Sequence, residues 1–202
     1  MIKIKNFSFN AFQVNTYIIS DQTSECVIID AACYTPDEKN IIDQYISDQK
    51  LTPVKLINTH CHVDHVLGMK HFVEKYKIEA EVHEADIKLL ANANKYGIVF
   101  GFDVEEPPVI TSYLSENKNI TFGNSVLKVF HVPGHSPGSV AFYNPEQKFV
   151  ITGDVLFKGS IGRTDLPGGD YDQIMQSIYK KLMVLPPETE VLPGHGPSTT
   201  IH

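Results

Sequence analysis

The strongest constraint on this chain is a cluster of four metal-ligand side chains within six residues. The four are His60, His62, Asp64 and His65. They follow a largely apolar run at 54–57, typical of a buried strand, and precede an amphipathic stretch over 66–77, which indicates a helix. Side chains two positions apart on extended backbone point the same way, so His60 and His62 can bind one ion together. Asp64 and His65 lie where the chain turns into the helix and are better placed to reach a second ion.

Three further candidate ligands lie in separate loops between turn-forming residues. They are His135 in Pro-Gly-His-Ser-Pro-Gly, Asp154 in Thr-Gly-Asp-Val and His195 in Pro-Gly-His-Gly-Pro. Five imidazoles and two carboxylates suit two borderline metal ions such as zinc, iron or manganese. Any one of these residues alone could be an ordinary surface or core residue. So dense a set of ligand types is hard to produce by chance, and the sequence therefore predicts a two-metal centre.

The remaining histidines and Cys61 are interpreted as structural. The histidines are His71 in a helical stretch, His83 at a strand end and His202 at the last position. His131 ends the strand before His135, where it could support a ligand, although packing is favoured. Cys61 lies between two ligand histidines, but strand alternation turns its thiol to the opposite side. We therefore expect Cys61 to pack in the core and not to bind metal.

Length, charge and cysteine content limit the class of protein. A chain of 202 residues buries roughly 70% of its unfolded surface, enough for a layered enzyme core. A net charge of −7 with a pI near 5.7 argues against a nucleic-acid partner. No run approaches the roughly 18 apolar residues of a membrane span. Three cysteines and a strand-like first segment without a signal-peptide apolar run favour a cytoplasmic protein.

Strand and helix patterns recur in two similar halves. Strands are predicted near 2–9, 14–20, 25–30, 54–57, 79–83, 126–132, 139–144, 148–152 and 190–192. Helices are predicted from Thr35, over 66–77, from 84 to about 95 and over 171–182. Thr35 is the expected N-cap and Pro36 suits the first turn. This arrangement predicts two sheets with helices outside and all seven ligands on one edge. The segment 96–108 is either a loop covering the site or an ordinary surface connection.

The order of these motifs resembles a known family. His-x-His-x-Asp-His followed by Pro-Gly-His, Gly-Asp and Gly-His is similar to the metallo-β-lactamase superfamily, over almost the whole chain. The longer segments 153–170 and 193–197 resemble the short, single-domain glyoxalase II-like hydrolases. The resemblance implies an αββα sandwich of two mixed β-sheets flanked by helices. It also implies that residues 1–202 form one domain, without the C-terminal helical substrate domain of full-length glyoxalase II.

The resemblance also implies an assignment of ligands and a mechanism. The first metal site matches His60, His62 and His135; the second matches Asp64, His65 and His195; Asp154 matches the bridging carboxylate. Two divalent ions, with zinc preferred over iron or manganese, would lower the pKa of a shared water to about 7. The resulting bridging hydroxide is the nucleophile, and Asp64 orients it. The implied substrate is a small-molecule thioester of the hydroxyacyl-glutathione type.

Arg163 is the candidate substrate-binding residue. It is the only arginine beside sixteen lysines, and its planar fork suits bidentate binding of a carboxylate. Glyoxalase II enzymes carry a basic residue at this distance after the bridging aspartate, where it binds a glutathione carboxylate. The alternative is that Arg163 pairs with Asp165 or Asp170. Asp165 and Pro197 stand where glutathione-binding relatives carry tyrosines.

Three other functions are compatible with the motifs. A persulfide dioxygenase shares the fold but uses one iron held by fewer ligands. A hydrolase of another ester or lactone would use the same metal centre. A protein that stores or senses metal would need neither the bridging carboxylate nor an open edge. Retention of every second-site residue, with Gly-Pro after His195, favours the dinuclear hydrolase.

Overall fold

The structure is a computed structural model that describes residues 1–116 and 118–202. The strands of the first half are Lys3–Phe9 (β1), Val14–Ser20 (β2), Glu25–Ile29 (β3), Thr52–Ile57 (β4), Glu79–His83 (β5) and Ser112–Leu114 (β6). Those of the second half are Ile120–Phe122 (β7), Ser125–His131 (β8), Val140–Asn144 (β9), Phe149–Gly153 (β10), Leu156–Phe157 (β11), Ser160–Ile161 (β12), Glu190–Pro193 (β13) and Thr199–Thr200 (β14). The helices are Pro36–Asp48 (α1), Met69–Tyr76 (α2), Ile87–Ala91 (α3), Ala93–Val99 (α4) and Tyr171–Ser177 (α5), which continues as a π-helical segment over Ile178–Leu182.

The strands form two six-stranded mixed sheets and one short hairpin. The first sheet has the order β1-β2-β3-β4-β5-β6, with β1 to β3 antiparallel and β3 to β6 parallel. The second has the order β14-β13-β10-β9-β8-β7, in which β10 and β13 are parallel. The hairpin pairs β11 with β12. Each half of the chain thus builds one sheet, as the two similar halves of the sequence indicate.

Strand alternation explains why the sheets stack between layers of helix. On β9, Val140 and Phe142 pack between the two sheets, whereas Ala141 and Tyr143 pack against the α5 side. On β3, alternate residues likewise divide between the inter-sheet core and the core beneath α1 and α2. Both faces of each sheet are therefore apolar, which requires a cover on each outer face. The predicted αββα sandwich is confirmed.

The predicted start of α1 is confirmed. The hydroxyl of Thr35 accepts a hydrogen bond from the amide of Glu38 at 3.2 Å. The carboxylate of Glu38 in turn accepts from the amide of Thr35 at 3.0 Å, which completes a capping box. Pro36 occupies the first helical position. The local sequence alone therefore determines this helix end.

Two predicted helices differ from the structure. The helix predicted over 66–77 begins later, at Met69, because residues 63–65 form a 3₁₀ turn that carries two of the candidate ligands. The helix predicted from residue 84 divides into a 3₁₀ turn, α3 and α4, and α4 runs on to Val99. The prediction of a loop over residues 96–99 is therefore wrong. Gly97 within this helix permits close packing, since a Cβ there would lie 2.3 Å from Val104 Cγ2.

Among the described residues, no helix is both long enough and apolar enough to cross a membrane.

Candidate metal centre

The seven candidate ligands lie in loops that follow β4, β8, β10 and β13, at one edge of both sheets. Backbone hydrogen bonds join the sheets at this edge. The amide of Val140 donates to the carbonyl of Thr59 at 2.8 Å, and the amide of Asn15 donates to the carbonyl of Gly194 at 2.7 Å. These bonds bring the loops of the two sheets into one cleft.

The structure brings all seven predicted ligands together in three overlapping groups. The groups are His60 with His62 and His135; His60 with His65 and Asp154; and Asp64 with His65 and His195. Within each group, the ligand atoms lie within 4.8 Å of one another. The first and third groups match the two ion sites that the resemblance implies, and the second, which contains Asp154, shares His60 with the first and His65 with the third.

Asp154 lies between the two candidate ion sites. Its Oδ1 is 3.4 Å from His65 Nε2, and its Oδ2 is 3.2 Å from His195 Nε2 and 3.7 Å from His135 Nε2. Asp64 faces the second site alone, with Oδ2 3.5 Å from His195 Nε2. One carboxylate therefore contacts ligands of both sets, which is the geometry required of a bridge.

Four of the five histidines are oriented through Nδ1, so that Nε2 faces the centre. The Nδ1 partners are Thr59 Oγ1 for His60 at 3.1 Å, Asp30 Oδ2 for His65 at 3.0 Å, the Arg163 carbonyl for His135 at 2.8 Å and the Phe12 carbonyl for His195 at 2.8 Å. Such partners fix the tautomer and the ring orientation of metal-binding histidines. His62 differs, because its Nδ1 lies 2.8 Å from His135 Nε2.

The donor atoms fit metal ions better than they fit one another. Among the described residues, His60 Nε2, His62 Nε2, His65 Nε2 and Asp154 Oδ1 are buried and have no hydrogen-bond partner. Buried polar atoms are normally paired, and four unpaired atoms on neighbouring candidate ligands need an explanation. Cations held by the ligand groups would give such atoms partners, and imidazole with carboxylate is a donor set for zinc, iron or manganese.

The first site favours neutral imidazoles. Burial, reinforced by the neighbouring His65 and His135, holds the pKa of His60 well below its usual range. Burial and the adjacent His135 lower the pKa of His62 to about 4. Burial also lowers the pKa of His135. These rings resist protonation, and metal binding requires neutral imidazole.

The second site has the opposite electrostatic character. Burial alone would lower the pKa of His195, but hydrogen bonds with Asp154 and Asp64 raise it to about 9. Burial likewise opposes the charge of His65, yet the same two carboxylates raise its pKa well above its usual range. Burial opposes ionisation of Asp154, but His65 and His195 hold the pKa of its carboxyl well below its usual value. The carboxylates at this site are thus ionised and available to a cation.

Asp30, which the sequence analysis missed, supports the second site. It directly follows β3 with a positive φ of 53°, and its carboxylate accepts from the Thr59 amide and hydroxyl, both at 2.7 Å. The same carboxylate lies 3.0 Å from Nδ1 of His65. The available signal was an acidic residue at the end of an otherwise apolar buried strand, Cys-Val-Ile-Ile-Asp-Ala-Ala.

Asp86, also missed, connects the two loops of the first site. It accepts hydrogen bonds from the Cys61 amide at 3.0 Å, the Ser136 hydroxyl at 2.7 Å and the Gly138 amide at 2.6 Å. Burial raises the pKa of Asp86. Its place between α3 and β5 gives no local motif, so only the folded chain reveals this role.

The remaining histidines lie outside the three ligand groups. His71 Nε2 is 2.9 Å from Asp43 Oδ2, on the helical layer. His83 and His131 stack with ring centroids 4.1 Å apart. His131 Nε2 lies 2.9 Å from the carbonyl of Pro137, in the loop that carries His135. His131 therefore contacts this loop but lies outside the groups of candidate ligand atoms.

Cys61 is buried in the core against the first helical layer, outside the ligand groups. Burial raises the pKa of its thiol well above the usual value, which disfavours the thiolate that metal binding requires.

We expect Cys61→Ser to leave metal stoichiometry unchanged and to lower the free energy of unfolding by about 1–3 kcal/mol, because a hydroxyl is buried. Elemental analysis and thermal unfolding measure both, with Cys26→Ser as the control in the same core. If Cys61→Ser loses metal and Cys26→Ser does not, the Cys61 thiol is a ligand.

The candidate centre opens into a cavity of about 210 Å³. Its lining comprises Phe12, His62, Val63, Asp64, Leu89, Tyr96, Phe100, His135, Asp154, Arg163, Leu166, Pro167 and His195. Arg163 lies at the rim, where its Nε and Nη2 donate to the two carboxylate oxygens of Asp165, both at 2.7 Å. The side chain of Arg163 thus forms the pairing with Asp165 that the sequence left as the alternative, while its carbonyl orients His135.

Comparison with known proteins identifies the same family that the motifs resemble. The sequence profile of the metallo-β-lactamase superfamily matches residues 9–195. YqgX of Bacillus subtilis, a probable metallo-hydrolase, is 37% identical over 99% of this chain and 93% of its own length. Hydroxyacylglutathione hydrolase GloC of Haemophilus influenzae is 32% identical over 99% of this chain and 93% of its own length.

Solved structures of similar proteins support the same family. The B3 metallo-β-lactamase BLEG-1 superposes with a TM-score of 0.90 at 33% identity, over 98% of this chain and 94% of the other. A di-iron-bound form of TTHA1623 gives a TM-score of 0.87 at 37% identity, with the same two coverages. A profile match over most of the chain, with relatives above 30% identity along nearly its full length, shows that this chain belongs to the metallo-β-lactamase superfamily.

Proposed function

We propose that this protein is a dinuclear metal-dependent hydrolase that acts on a small-molecule thioester of the hydroxyacyl-glutathione type. The observation that carries the proposal is the pair of ligand groups that meet at Asp154 beside an open cavity. Membership in a superfamily that includes the hydrolase GloC supports hydrolysis, and GloC's own substrate supports a thioester. Zinc is the proposed metal; the di-iron form of TTHA1623 makes iron the first alternative to measure.

The residues that would hold two ions follow from the ligand groups. His60, His62 and His135 would hold the first ion, and Asp64, His65 and His195 the second, with Asp154 shared. Two such cations lower the pKa of water and polarise a carbonyl, so that hydrolysis proceeds at neutral pH without a strong base.

Two carboxylates are proposed as catalytic. Asp154 holds the two sets at a fixed separation through its contacts with His65, His135 and His195. Asp64 lines the cavity, so a free lone pair of its carboxylate can accept a hydrogen bond from the attacking water and orient it toward the substrate carbonyl. No serine, cysteine or lysine nucleophile is required.

The complete second ligand group favours the dinuclear hydrolase over a mononuclear-iron persulfide dioxygenase. Asp64, His65 and His195 keep their ligand atoms within 4.8 Å, and a single iron held by fewer ligands would not require this group. Hydrolysis of another ester or a lactone would use the same centre. The likeness to BLEG-1 makes a β-lactam a further substrate to test.

Metal analysis of the purified protein, together with hydrolysis assays, tests the proposal. The substrate panel contains a hydroxyacyl-glutathione thioester, a simple thioester, a carboxylic ester, a lactone, a β-lactam and a phosphodiester, with a persulfide for oxygen consumption. We expect two divalent ions per chain, thioester hydrolysis that a chelator abolishes, and recovery when metal is restored. One iron per chain with oxygen uptake on the persulfide would instead support the dioxygenase.

Arg163 is proposed as the residue that a substrate carboxylate would meet, in competition with Asp165. We expect Asp165→Ala to raise kcat/KM for carboxylate-bearing thioesters severalfold, up to about tenfold, because the guanidinium fork is released at an exposed position. Neutral thioesters should react as before. Steady-state kinetics on a charged and a neutral substrate measure the difference.

The matched variant is Arg163→Ala combined with Asp165→Ala, which should cancel the gain. Metal content should remain unchanged in every variant, since guanidinium is not a ligand. Equal effects on charged and neutral substrates would show that the Arg163–Asp165 pair only supports the loop whose carbonyl contacts His135.

We also propose that residues 1–202 act as a single domain in the cytoplasm, without nucleic-acid or membrane partners. The profile match over residues 9–195 supports one domain. Three buried, unpaired cysteines, Cys26, Cys33 and Cys61, support a reducing compartment. Expression with a fractionation assay tests the location.

A further inference from the structure

Apolar side chains form most of the cavity wall beyond the metal ligands. These are Phe12, Val63, Leu89, Tyr96, Phe100, Leu166 and Pro167. They come from four separate segments: the β1–β2 turn, the ligand turn, the α3–α4 region and the loop before α5. Because these segments are distant in sequence, the wall exists only in the folded protein, where it forms one side of the cavity.

The aromatic part of this wall directly adjoins a candidate ligand. The rings of Phe12 and Phe100 meet edge to face with centroids 5.4 Å apart, a favourable geometry for an aromatic pair. The carbonyl of Phe12 is the partner of His195 Nδ1 at 2.8 Å. An apolar group on a substrate whose carbonyl lies at the metal centre would therefore contact these rings.

Outside the ligand groups, the single charged side chain that the structure describes in the cavity lining is paired with an opposite charge. Arg163 is the one lining residue that is charged and outside the ligand groups in the described part of the chain. Both oxygens of Asp165 occupy its fork, and the hydrogen bonds from Arg163 lower the pKa of Asp165 to about 2. A carboxylate-bearing substrate would have to displace Asp165, whereas an apolar group gains contact at no such cost.

From these three observations we propose that the enzyme selects among thioesters or esters by an uncharged apolar chain or ring that is attached to the scissile group and packs against this wall. This inference rests on the proposed hydrolase function and narrows its substrate class. The apolar group lies between Phe12, Leu89, Tyr96 and Phe100, while the carbonyl faces the ligands.

The expected signature is a dependence of rate on chain length. Each buried methylene contributes about 0.8 kcal/mol, which corresponds to about fourfold in kcat/KM. Two series of neutral thioesters are measured, one lengthening the acyl chain from acetyl to octanoyl and one lengthening the thiol from methyl to hexyl. An increase of about twofold to fourfold per methylene in either series supports the proposal. Flat responses in both series overturn it.

Matched variants locate the contact. Phe100→Ser removes half of the aromatic pair at the cavity wall, and we expect it to reduce the chain-length dependence, so that kcat/KM falls more for the octanoyl substrate than for the acetyl substrate. Val99→Ser is the control, since Val99 precedes Phe100, is 77% exposed and does not line the cavity. Leu89→Ala gives a second wall variant. The proposal is wrong if Phe100→Ser, Leu89→Ala and Val99→Ser all retain the wild-type dependence.

A binding measurement separates this inference from the hydrolase proposal. Neutral amides from acetamide to octanamide carry the same chains but lack the scissile ester, and their dissociation constants are measured by calorimetry on the metal-loaded protein. Tighter binding of longer amides, weakened by Phe100→Ser, supports the apolar site even if no thioester is hydrolysed. Hydrolysis without any chain-length effect on rate or amide affinity leaves the hydrolase intact and rejects the apolar selection.

Discussion

Asp154→Ala is expected to reduce bound metal below two ions per chain and to remove nearly all hydrolytic activity. The carboxylate lies within 3.7 Å of Nε2 of His65, His135 and His195, so its loss affects both ion sites. Removing a group that merely orients a ligand costs roughly 10–100-fold. We therefore expect the loss of a shared ligand to exceed about 100-fold in kcat/KM. Elemental analysis and thioester kinetics provide the two readouts.

Two controls accompany this variant. Asp154→Asn keeps the side-chain volume, so it separates loss of charge from collapse of the buried site. Asp48→Ala removes a carboxylate from the exposed end of α1 and should change neither readout. Two ions per chain with normal turnover in Asp154→Ala would refute the bridging role, whatever the thermal stability of the variant.

Gly194→Ala is expected to disrupt the second ion site without adding or removing any donor atom. A Cβ at this position would lie 2.1 Å from Asp154 Oδ1 and 2.9 Å from His65 Cε1. The backbone cannot retreat, because the Gly194 amide donates to the Gly153 carbonyl at 2.8 Å and its own carbonyl accepts from Asn15. The methyl group must therefore displace the Asp154 carboxylate. We expect loss of at least one ion and a fall in activity of about 100-fold or more.

Gly196→Ala is the matched control for steric crowding. This residue has a φ of 73° and an added Cβ would meet no atom within 4 Å, so alanine there introduces backbone strain of about 1–2 kcal/mol and no clash. It should lower the thermal midpoint slightly and keep both ions. If Gly194→Ala and Gly196→Ala lose metal equally, the loop conformation and not the Cβ clash is responsible.

The sequence predicted those parts of the site that are encoded locally. The spacing of His60 and His62, the capping box at Thr35 and the Pro-Gly brackets of His135 and His195 all depend on a few adjacent residues. The strand runs were predicted equally well, because their alternating or continuous apolar residues reflect burial directly. The strands missed, such as β11, β12 and β14, contain two residues each and are too short to show a period.

The remaining features depend on contacts between residues distant in sequence. Asp30 lies 35 positions before His65, and neither residue alone signals the pairing. The occupation of Arg163 by Asp165 was one of two alternatives that the sequence allowed; only the loop conformation distinguishes them. The helix that extends to Val99 includes Gly97, which a helix propensity scale treats as unfavourable, and the returning chain at 102–104 packs closely against this residue.

The bond between Asn15 and Gly194 has a consequence for the order in which the molecule is made. Residues 60–65 leave the ribosome long before residue 195, yet the loop of His195 is held by the β1–β2 hairpin, with Asn15 Nδ2 and the Tyr17 hydroxyl both donating to the Pro193 carbonyl. The hairpin must therefore remain without this partner for most of synthesis. A nascent chain can present the four clustered donors of residues 60–65 early, but its second ion site is completed only when the two ends of the domain meet.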